Sequence, residues 1–444
     1  MFNNFFIEKL LLPIADFFSG TTFIKDLDYW RNVVGKMDAD ELHELQKQRL
    51  KALLLHSTQT IPFYQKQNIH LTDNPFEDVK QFPIMYKSLM KENLHELLIY
   101  DKTKMVSEKS SGSSGIQGEV FMTLNENRNY QAAQTSLWEW SGYKLGKPFL
   151  QTGITPNRGV VKSVKDFLFN THYVNAYNLN NEQIIKDLQI AKSKGCAYFG
   201  GYASSLNVYA ETALQAGIIH LNFKGVISWG DKLFEHYKKN IAKAFGNPVI
   251  TELYGTTEGF VISATCKYGN YHQLTPQTYV ELLDKNGNEV KPGEIGYVVV
   301  TRLDAVSFPL IRYYLGDLAI KANEAEKCNC GRAFPMLEKI IGRDTDIVHT
   351  PSGRALIVHF FTGIFEHFDE IKQFRVIQKV KTEIEIEFIP SATFKSSALE
   401  RVTNKIYERA KEAFPVRFSE VSIIPSTASG KPQIIQNLIA EKLV

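Results

Sequence analysis

Strand-like and helix-like segments alternate through the middle of this chain. Five successive segments show the pattern: strand-like 197–200, helix-like 203–216, strand-like 225–228, helix-like 233–245 and strand-like 248–250. Such alternation is typical of a largely parallel sheet covered by helices, because parallel strands need a long crossover between them. We therefore predict an α/β fold whose large N-terminal body contains mixed sheets.

Further along, the pattern becomes β-rich. Two apolar runs, 279–283 and 296–301, flank the tetrapeptide Asp284-Lys285-Asn286-Gly287. The Asn-Gly pair favours a hairpin turn because both residues tolerate positive φ. We expect a β-rich part to complete the large body.

A smaller unit is indicated after about residue 343. An alternating strand over 384–388 and a helix with a basic face over 398–413 are typical of an α+β domain. A chain of 444 residues also exceeds the size of one compact core. We predict a large domain over 1–342 and a small, mobile C-terminal domain over 343–444.

The charges of the chain are nearly balanced, with 51 basic and 48 acidic residues and a net charge of +3. This balance does not indicate a nucleic-acid partner. No apolar run reaches the roughly 18 residues that predict a transmembrane helix. The chain has four cysteines, too few for a disulfide scaffold, so we predict a cytoplasmic protein.

The first thirteen residues are apolar apart from Glu8, Lys9 and two asparagines. They lack the basic start of a signal peptide, and the two charges interrupt the apolar stretch. Two interpretations remain open: an amphipathic helix that docks on the body, or a foot that lies on a membrane surface.

A run of serines and glycines precedes the strand-like segment 120–124. It begins with six residues that offer hydroxyl or unhindered backbone donors: Ser110, Ser111, Gly112, Ser113, Ser114 and Gly115. Glycines let backbone N–H groups turn toward an anion, and serine hydroxyls add donors, so the run could hold phosphate. It lacks the Gly-Lys-Ser/Thr ending of a Walker A loop. Taken alone, such a run is also typical of a flexible linker.

Two short knuckles hold three of the four cysteines. Cys328 and Cys330 are separated by one residue, and Cys266 and His272 lie on either side of a Gly-Asn turn. Three thiols and one imidazole form a closed tetrahedral ligand set for Zn²⁺, so we predict a structural zinc site. Buried thiols without a metal are the alternative. The fourth cysteine, Cys196, is interpreted as a core residue.

Four motifs follow the Ser/Gly run in a set order: Tyr254-Gly255-Thr256-Thr257-Glu258, Tyr313-Tyr314-Leu315-Gly316-Asp317, Ile341-Gly342-Arg343-Asp344-Thr345-Asp346 and Ser426-Thr427-Ala428-Ser429-Gly430-Lys431. In this order the motifs resemble the adenylate-forming, acyl-CoA synthetase-like superfamily. Within it they are most similar to the branch of phenylacetate–CoA ligases and CapK-type proteins. The resemblance covers about residue 30 to the end of the chain, and phenylacetate–CoA-ligase-like proteins look similar at the cysteine knuckles too.

The resemblance implies an ATP-dependent, AMP-forming ligase. A carboxylate would attack the α-phosphorus of ATP, release pyrophosphate and leave an acyl-adenylate, from which the acyl group passes to coenzyme A. Both reactants are anions, so catalysis depends mainly on positioning and charge neutralisation.

The resemblance also assigns roles to residues. Serines and glycines 110–115 would hold the β- and γ-phosphates. The remaining assignments are Glu258 to Mg²⁺, Thr257 to the α-phosphate, Tyr254 to the adenine, Asp317 and Arg343 to the ribose, and Lys431 to the α-phosphate and carboxylate. Gly255 is assigned to nucleotide binding. Catalysis would thus rest on Lys431, Glu258 and Thr257.

Three departures from the family pattern affect, in turn, a phosphate-binding cation, the hinge and the acceptor. Ile116 stands where a lysine is frequent, Thr345 stands at the usual hinge aspartate, and 347–354 lacks the Arg-Gly-x-Asn-x-Phe-Pro pattern of the CoA half-reaction. One alternative is a CapK-type enzyme of surface-polysaccharide assembly that transfers an acyl or adenylyl group to an amine or hydroxyl. Another is a nucleotide-binding protein that has lost catalysis.

The sequence says least about the pocket that would bind the acid. Family position suggests 200–202 and 228–231, with Trp138 and Trp140 nearby, which would suit an aromatic or otherwise planar acid. The alternative is that these aromatic residues simply fill the core. The oligomeric state stays open, a homodimer being one option.

Overall fold

The structure, a computed structural model, describes residues 4–109, 118–153, 159–176, 180–218, 221–323, 325–343, 347–365, 367–425 and 433–439. Its α-helices are α1 (Asn4–Phe6), α2 (Leu12–Ser19), α3 (Phe23–Asp28), α4 (Ala39–Thr60), α5 (Pro62–Gln65), α6 (Pro75–Asp78), α7 (Lys87–Glu92), α8 (Leu94–Leu97), α9 (Leu124–Trp138), α10 (Gly159–Leu168), α11 (Asn181–Ser193), α12 (Ala203–Gln215), α13 (Glu235–Phe245), α14 (Val358–Phe365) and α15 (Ser397–Ala410). Turns of π-helix lie at Ile7–Leu11 and Tyr29–Val33. Turns of 3₁₀-helix lie at Val34–Lys36, Val79–Gln81, Lys102–Lys104 and Glu139–Ser141.

The strands are β1 (Val106–Lys109), β2 (Glu119–Met122), β3 (Phe149–Gly153), β4 (Thr171–Asn175), β5 (Tyr198–Tyr202), β6 (Gly225–Trp229), β7 (Val249–Gly255), β8 (Val261–Thr265), β9 (Tyr271–Gln273), β10 (Thr278–Leu283), β11 (Ile295–Arg302), β12 (Tyr313–Lys321), β13 (Met336–Arg343), β14 (Ile347–His349), β15 (Ala355–Ile357), β16 (Ile371–Val380), β17 (Glu383–Pro390), β18 (Val416–Glu420) and β19 (Ile435–Asn437).

One mixed sheet organises the large body. Its order within the described residues is β10-β11-β12-β13-β9-β8-β7-β6-β5-β3-β4. The half from β4 to β7 is parallel, and the half from β7 to β10 is antiparallel. The predicted α/β fold with mixed sheets is therefore confirmed, and β7 is the strand at which its two halves meet.

Two apolar cores cover the faces of the parallel half. One contains α11, α12 and α13 and is built around side chains such as Phe199 and Phe245. The other contains α9 and the N-terminal helices, with Trp30 and Ile227 among its members. Strands buried on both faces in this way read as continuous apolar runs, which is why they were visible in the sequence.

The predicted turn at Asn286-Gly287 is present, with Gly287 at φ 80°. β10 pairs antiparallel with β11, as the two apolar runs indicated. The loop is longer than a two-residue hairpin because Val290 first returns to Leu282 and a second turn follows at Gly293. β11 therefore starts only at Ile295.

The C-terminal part has its own four-stranded sheet, in the order β18-β17-β16-β19. Apolar side chains of this sheet, α14 and α15 form a separate core that includes Phe361, Ile386 and Ile406. This α+β arrangement agrees with the predicted fold class. The proposed boundary at 342/343 falls beside residues 344–346, which lie outside the described part, and it stays a proposal.

The N-terminal segment is helical from Asn4 to Ser19 and packs on the body. Ile7 and Leu12 are buried, and the Asn4 amide donates to the Leu145 carbonyl at 2.8 Å. Within the described residues, no helix is both long enough and apolar enough to cross a membrane.

Candidate functional site

Two segments bring the predicted adenylation residues together. Tyr254 and Glu258 lie at the end of β7 and in the turn after it, and Tyr313 and Asp317 lie on β12. The Tyr254 hydroxyl donates to Asp317 Oδ2 at 2.8 Å, and the Tyr313 hydroxyl donates to Glu258 Oε1 at 3.3 Å. Tyr254 and Glu258 are four residues apart, and so are Tyr313 and Asp317. Two side-chain hydrogen bonds therefore link the end of β7 and the turn after it to β12.

Arg343 joins this site from the neighbouring strand. Asp317 and Arg343 are partners in the β12–β13 register. The Arg343 Nε lies 3.1 Å from Asp317 Oδ1, and its Nη1 donates to the Leu315 carbonyl at 2.9 Å. The carboxylate thus accepts from a phenol and a guanidinium at once, which holds it in one orientation.

The two phenols of the site remain donors at neutral pH. Burial raises the pKa of Tyr254 well above its ordinary value, and the Asp317 carboxylate raises it further. Burial likewise raises the pKa of Tyr313, with Glu258 adding to the effect. Both phenols therefore keep their protons and orient the carboxylates beside them.

Glu258 is a buried carboxylate, only 6% exposed. Its Oε1 lies 3.4 Å from Lys87 Nζ, and its Oε2 accepts from the Thr257 hydroxyl at 3.4 Å. The donor set here is a carboxylate and a hydroxyl, and hard oxygen donors of this type are what Mg²⁺ takes alongside substrate phosphates. The residues present therefore fit the predicted magnesium ion.

Lys87 is a site residue that the sequence analysis missed. It begins α7, directly after a segment in which Met85 exchanges hydrogen bonds with Arg312 and Tyr314. This pairing carries the lysine to Glu258 across a large separation in sequence. No local pattern around Lys87 distinguishes it from other surface lysines, so only the tertiary contact reveals it.

Arg302 packs against the turn that contains Glu258, and it is a second residue that the sequence analysis missed. It is almost completely buried, and its guanidinium donates to Asp304 at 2.8 Å and to the Met122 sulfur at 2.8 Å. Gly259 has φ +87°, and a Cβ there would come within 2.3 Å of Arg302 Nη1. One guanidinium therefore packs against both the turn and β2, the strand that follows the Ser/Gly run.

Several predicted residues lie outside the described part of the chain. They are the six phosphate-loop residues from Ser110 to Gly115, the hinge candidates Asp344, Thr345 and Asp346, and Lys431. Their assignments stay predictions.

The aromatic residues suggested for the acid pocket pack mainly on one another. Trp138 stacks on Trp229 with ring centroids 5.2 Å apart, and on Phe149 at 5.8 Å. A Cβ at Gly200 would come within 2.5 Å of the Phe149 ring. Core packing accounts for these rings, so they do not by themselves argue for an aromatic acid.

The four predicted zinc ligands meet in one cluster, with their ligand atoms all within 4.8 Å of one another. Cys266 Sγ lies 3.6 Å from Cys328 Sγ, and Cys330 Sγ lies 3.3 Å from His272 Nε2. Cys266 directly follows β8, His272 lies on β9, and the loop before β13 supplies the other two.

The surroundings of this cluster suit a metal. The His272 Nδ1 faces the Phe334 carbonyl at 3.2 Å, which orients Nε2 toward the thiols. Burial lowers the pKa of His272, so the ring is neutral at pH 7. The Asn270 amide donates to Cys328 Sγ at 3.2 Å. The residues therefore fit a structural Zn²⁺.

Glu252, on β7, is a buried carboxylate between the two sites. Burial raises the pKa of Glu252 above its ordinary 4.5, although the Tyr271 hydroxyl, donating at 2.6 Å, works against the rise. The folded state then takes up a proton more readily than the unfolded state. Stability from this group is full below pH 4.5 and is lost as pH rises through the folded-state pKa.

We expect Glu252→Gln to remove this loss, since an amide keeps an acceptor for Tyr271 but cannot ionise. Urea unfolding at pH 4.5 and pH 8 should show that the variant gains stability relative to the wild type as pH rises. Glu400→Gln, at an exposed position, is the control and should show no such pH-dependent gain in the free energy of unfolding. If Glu252→Gln changed the free energy of unfolding by the same amount at both pH values, the interpretation would be wrong.

Comparisons with known proteins show what this chain is similar to. Residues 348–438 match the family model described as the CapK C-terminal domain. Over 425 residues the chain is 22% identical to protein CapK of Staphylococcus aureus, covering 93% of this chain and 92% of that protein. These matches support the adenylate-forming superfamily, CapK branch, for this chain.

Two further proteins are similar to this chain over most of its length. A phenylacetate–coenzyme A ligase of Thermus thermophilus is 23% identical over 327 residues, covering 70% of this chain and 72% of the enzyme. The crystal structure of a 2-hydroxyisobutyryl-CoA ligase bound to an acyl-adenylate superposes with a TM-score of 0.71 at 17% identity, covering 91% of both chains. The fold is that of adenylate-forming ligases, and these relatives support a ligase of AMP-forming type.

Proposed function

We propose that this protein activates a small carboxylic acid with ATP and passes the acyl group to coenzyme A. The carboxylate attacks the α-phosphorus, the bond to the bridging oxygen breaks, and pyrophosphate leaves with its electron pair. The acyl-adenylate is then attacked by a thiolate, which releases AMP. The observation that carries the proposal is the pair of hydrogen bonds between β12 and the segment from Tyr254 to Glu258. These bonds hold the residues proposed to bind the nucleoside next to the residues proposed to bind the phosphates.

The nucleotide end is formed by Asp317, Arg343 and Tyr254. Asp317 is a buried carboxylate oriented by its two donors, and such a group suits the paired hydroxyls of a ribose. The Arg343 side chain is 40% exposed, and we assign it to the ribose on the family pattern. On the family pattern we assign adenine contact to Tyr254 and nucleotide binding to Gly255.

The phosphate end is formed by Glu258, Thr257 and Lys87, together with the Ser/Gly run that we assign to the β- and γ-phosphates. Mg²⁺ held at Glu258 would neutralise charge on the phosphate oxygens. Lys87 adds a cation beside the carboxylate. This cation supports the proposal because the run itself has Ile116 where related loops often carry a lysine.

The small domain would contribute Lys431, which we assign to the α-phosphate and the attacking carboxylate. Family members of this type rotate the small domain between half-reactions, and we propose the same motion here. The hinge residue is proposed among Asp344, Thr345 and Asp346.

A second candidate acceptor is an amine or hydroxyl instead of a thiol. Residues 347–354 lack the sequence associated with the CoA half-reaction, and 348–438 match the CapK C-terminal domain. Under this alternative the first half-reaction is unchanged, and the acyl or adenylyl group goes to a sugar-like acceptor of surface-polysaccharide assembly.

The deciding experiment measures acid-dependent pyrophosphate release from ATP and Mg²⁺ across a panel of aliphatic, hydroxylated and aromatic acids. We expect release with at least one acid class, and mass spectrometry with and without coenzyme A then separates acyl-CoA from other products. Tight ATP binding by calorimetry without release for any acid would contradict the proposal and favour a nucleotide-binding protein without catalysis.

We further propose that Zn²⁺ occupies the cluster of Cys266, His272, Cys328 and Cys330. Three thiols and an imidazole leave no open position for substrate in a tetrahedral site, so the role is structural. The ion would tie the loop before β13 to the β8–β9 hairpin, which follows the Glu258 turn directly in sequence.

Lys87→Gln should lower kcat/KM for ATP by about tenfold or more, because the substitution removes a cation next to the phosphate end. Lys87→Arg should keep most of the activity. Lys91→Gln is a matched control, since Lys91 is exposed one turn later on α7. Steady-state pyrophosphate release at varied ATP measures the effect. Equal activity of the Lys87 and Lys91 glutamine variants would remove Lys87 from the site.

A further inference from the structure

The N-terminal helical segment presents large apolar side chains outward. Leu10, Ile14 and Phe17 follow one helical face at i, i+4 and i+7, and all three are exposed. Phe17 and Phe18 are 82% and 83% exposed. The opposite side of the segment packs on the body through Ile7 and Leu12. The segment therefore has two apolar faces, one buried against the body and one exposed.

Helix α10 repeats this pattern. Val160, Val164 and Phe167 have the same i, i+4, i+7 spacing, with Val160 80% and Phe167 73% exposed. An amphipathic helix normally directs such a stripe into the core. Here α10 directs it toward solvent, and aromatic and aliphatic side chains of this size are usually exposed together only where they meet a partner.

Both helices are anchored on one turn of the chain. Asn4, at the start of the N-terminal segment, donates to the Leu145 carbonyl at 2.8 Å. Asn170, just after α10, donates to the Gly146 carbonyl at 2.7 Å. Ile7 also packs on Gly146, where a Cβ would come within 2.3 Å of its side chain. The two apolar stripes therefore belong to the same region of the large domain.

Lysines surround these stripes. Lys9 lies on the N-terminal segment, Lys162 and Lys165 on α10, and Lys147 at the shared turn, all of them exposed. Lys144, also at that turn, pairs with Glu139 at 2.6 Å. The acidic residues of the N-terminal segment are engaged within the protein. Glu8 pairs with Arg31 at 2.7 Å, and the Asp16 carboxylate accepts from Thr21 and from the Ile24 backbone. Asp166 is the acidic residue of α10.

We propose that the surface formed by the outward side chains of segment 4–19 and of α10 docks on an anionic membrane. Its apolar side chains would enter the headgroup region while the lysines meet lipid phosphates, which is the pattern of helices that lie in a bilayer interface. A second copy of the chain fits less well, because a symmetric contact would bring the same lysines of both copies together. The proposal does not depend on which acid or acceptor the enzyme uses.

Flotation of the full-length protein with large unilamellar vesicles tests this. We expect binding to phosphatidylcholine vesicles that contain 30% phosphatidylglycerol, and at least about tenfold weaker binding to pure phosphatidylcholine. Phe17→Glu/Phe18→Glu and Val160→Glu/Val164→Glu should each weaken binding about tenfold or more. Lys162→Gln/Lys165→Gln should weaken it less and should reduce its sensitivity to salt.

Ile423→Glu is the matched control, because Ile423 is also an exposed apolar residue (72%) but lies in the C-terminal part. It should bind vesicles as the wild type does. Each variant should keep the wild-type circular dichroism spectrum and melting temperature, which separates loss of binding from loss of folding. Wild-type protein that does not float, or Phe17→Glu/Phe18→Glu that floats unchanged, would overturn the proposal. So would sedimentation equilibrium showing a dimer that these same substitutions dissociate.

Discussion

Glu258→Gln should lower kcat for acid-dependent pyrophosphate release by about 100-fold or more. The amide keeps the shape of the side chain and one acceptor oxygen, enough for either Tyr313 or Thr257, which donate to different oxygens of Glu258. It removes the negative charge that would hold Mg²⁺ and leaves Lys87 without its counter-charge, 3.4 Å away. The main loss should therefore be in catalysis and not in folding, and it should appear with every acid the enzyme accepts.

Two controls separate this role from a general effect of the substitution. Glu338→Gln, at an exposed position on β13, should leave kcat unchanged. In a double-mutant cycle, Lys87→Gln should cost much less activity in the Glu258→Gln background than in the wild type, since the two groups act as a pair. A Glu258→Gln enzyme with wild-type kcat at saturating Mg²⁺ would exclude Glu258 as the metal ligand.

Cys328→Ser/Cys330→Ser should abolish zinc binding and lower the melting temperature by about 5 °C or more. The wild-type protein should carry about one zinc per chain, measured by inductively coupled plasma mass spectrometry. Loss of the ion would free the loop before β13, whose thiols now lie beside Cys266 and His272. Because β13 also carries Arg343, we expect weaker ATP binding in the variant as well.

Cys196→Ala is the matched control for the zinc prediction. Cys196 is the remaining cysteine, buried in the core beside α11 and α12 and outside the cluster. Its removal can cost packing energy but should leave the zinc content at the wild-type level. Zinc-free wild-type protein from zinc-supplemented expression, or a Cys328/Cys330 variant with full zinc content, would contradict the site.

Much of the α/β part of the fold could be predicted from the sequence, because its parallel strands are buried on both faces and form continuous apolar runs. The runs 197–200, 225–228 and 248–250 became β5, β6 and β7, and the segments between them became α12 and α13. Periodicity identifies such elements without tertiary information. The order of the strands in the sheet could not be predicted, because the pairing of β9 with β13 depends on contacts between distant parts of the chain.

The candidate site divides in a similar way. Glu258, Asp317 and Arg343 lie in short motifs whose order resembles the adenylate-forming superfamily, and the resemblance allowed them to be named in advance. The zinc ligands could be named from their residue types in two short knuckles. Lys87 and Arg302 lie in no motif. Each reaches the Glu258 turn from a segment distant in sequence, and neither the charge nor the neighbours of either residue would distinguish it beforehand.

Local composition was enough to identify the α/β architecture, the ordered motifs and the two cysteine knuckles, because each depends on residues close together in the chain. Tertiary packing determined which of these groups meet: Tyr254 with Asp317, Tyr313 with Glu258, Lys87 with Glu258, and Trp138 with Trp229. The physical reason is that burial, charge pairing and the outward direction of an apolar helix face are properties of neighbours in space, which the order of residues alone does not specify.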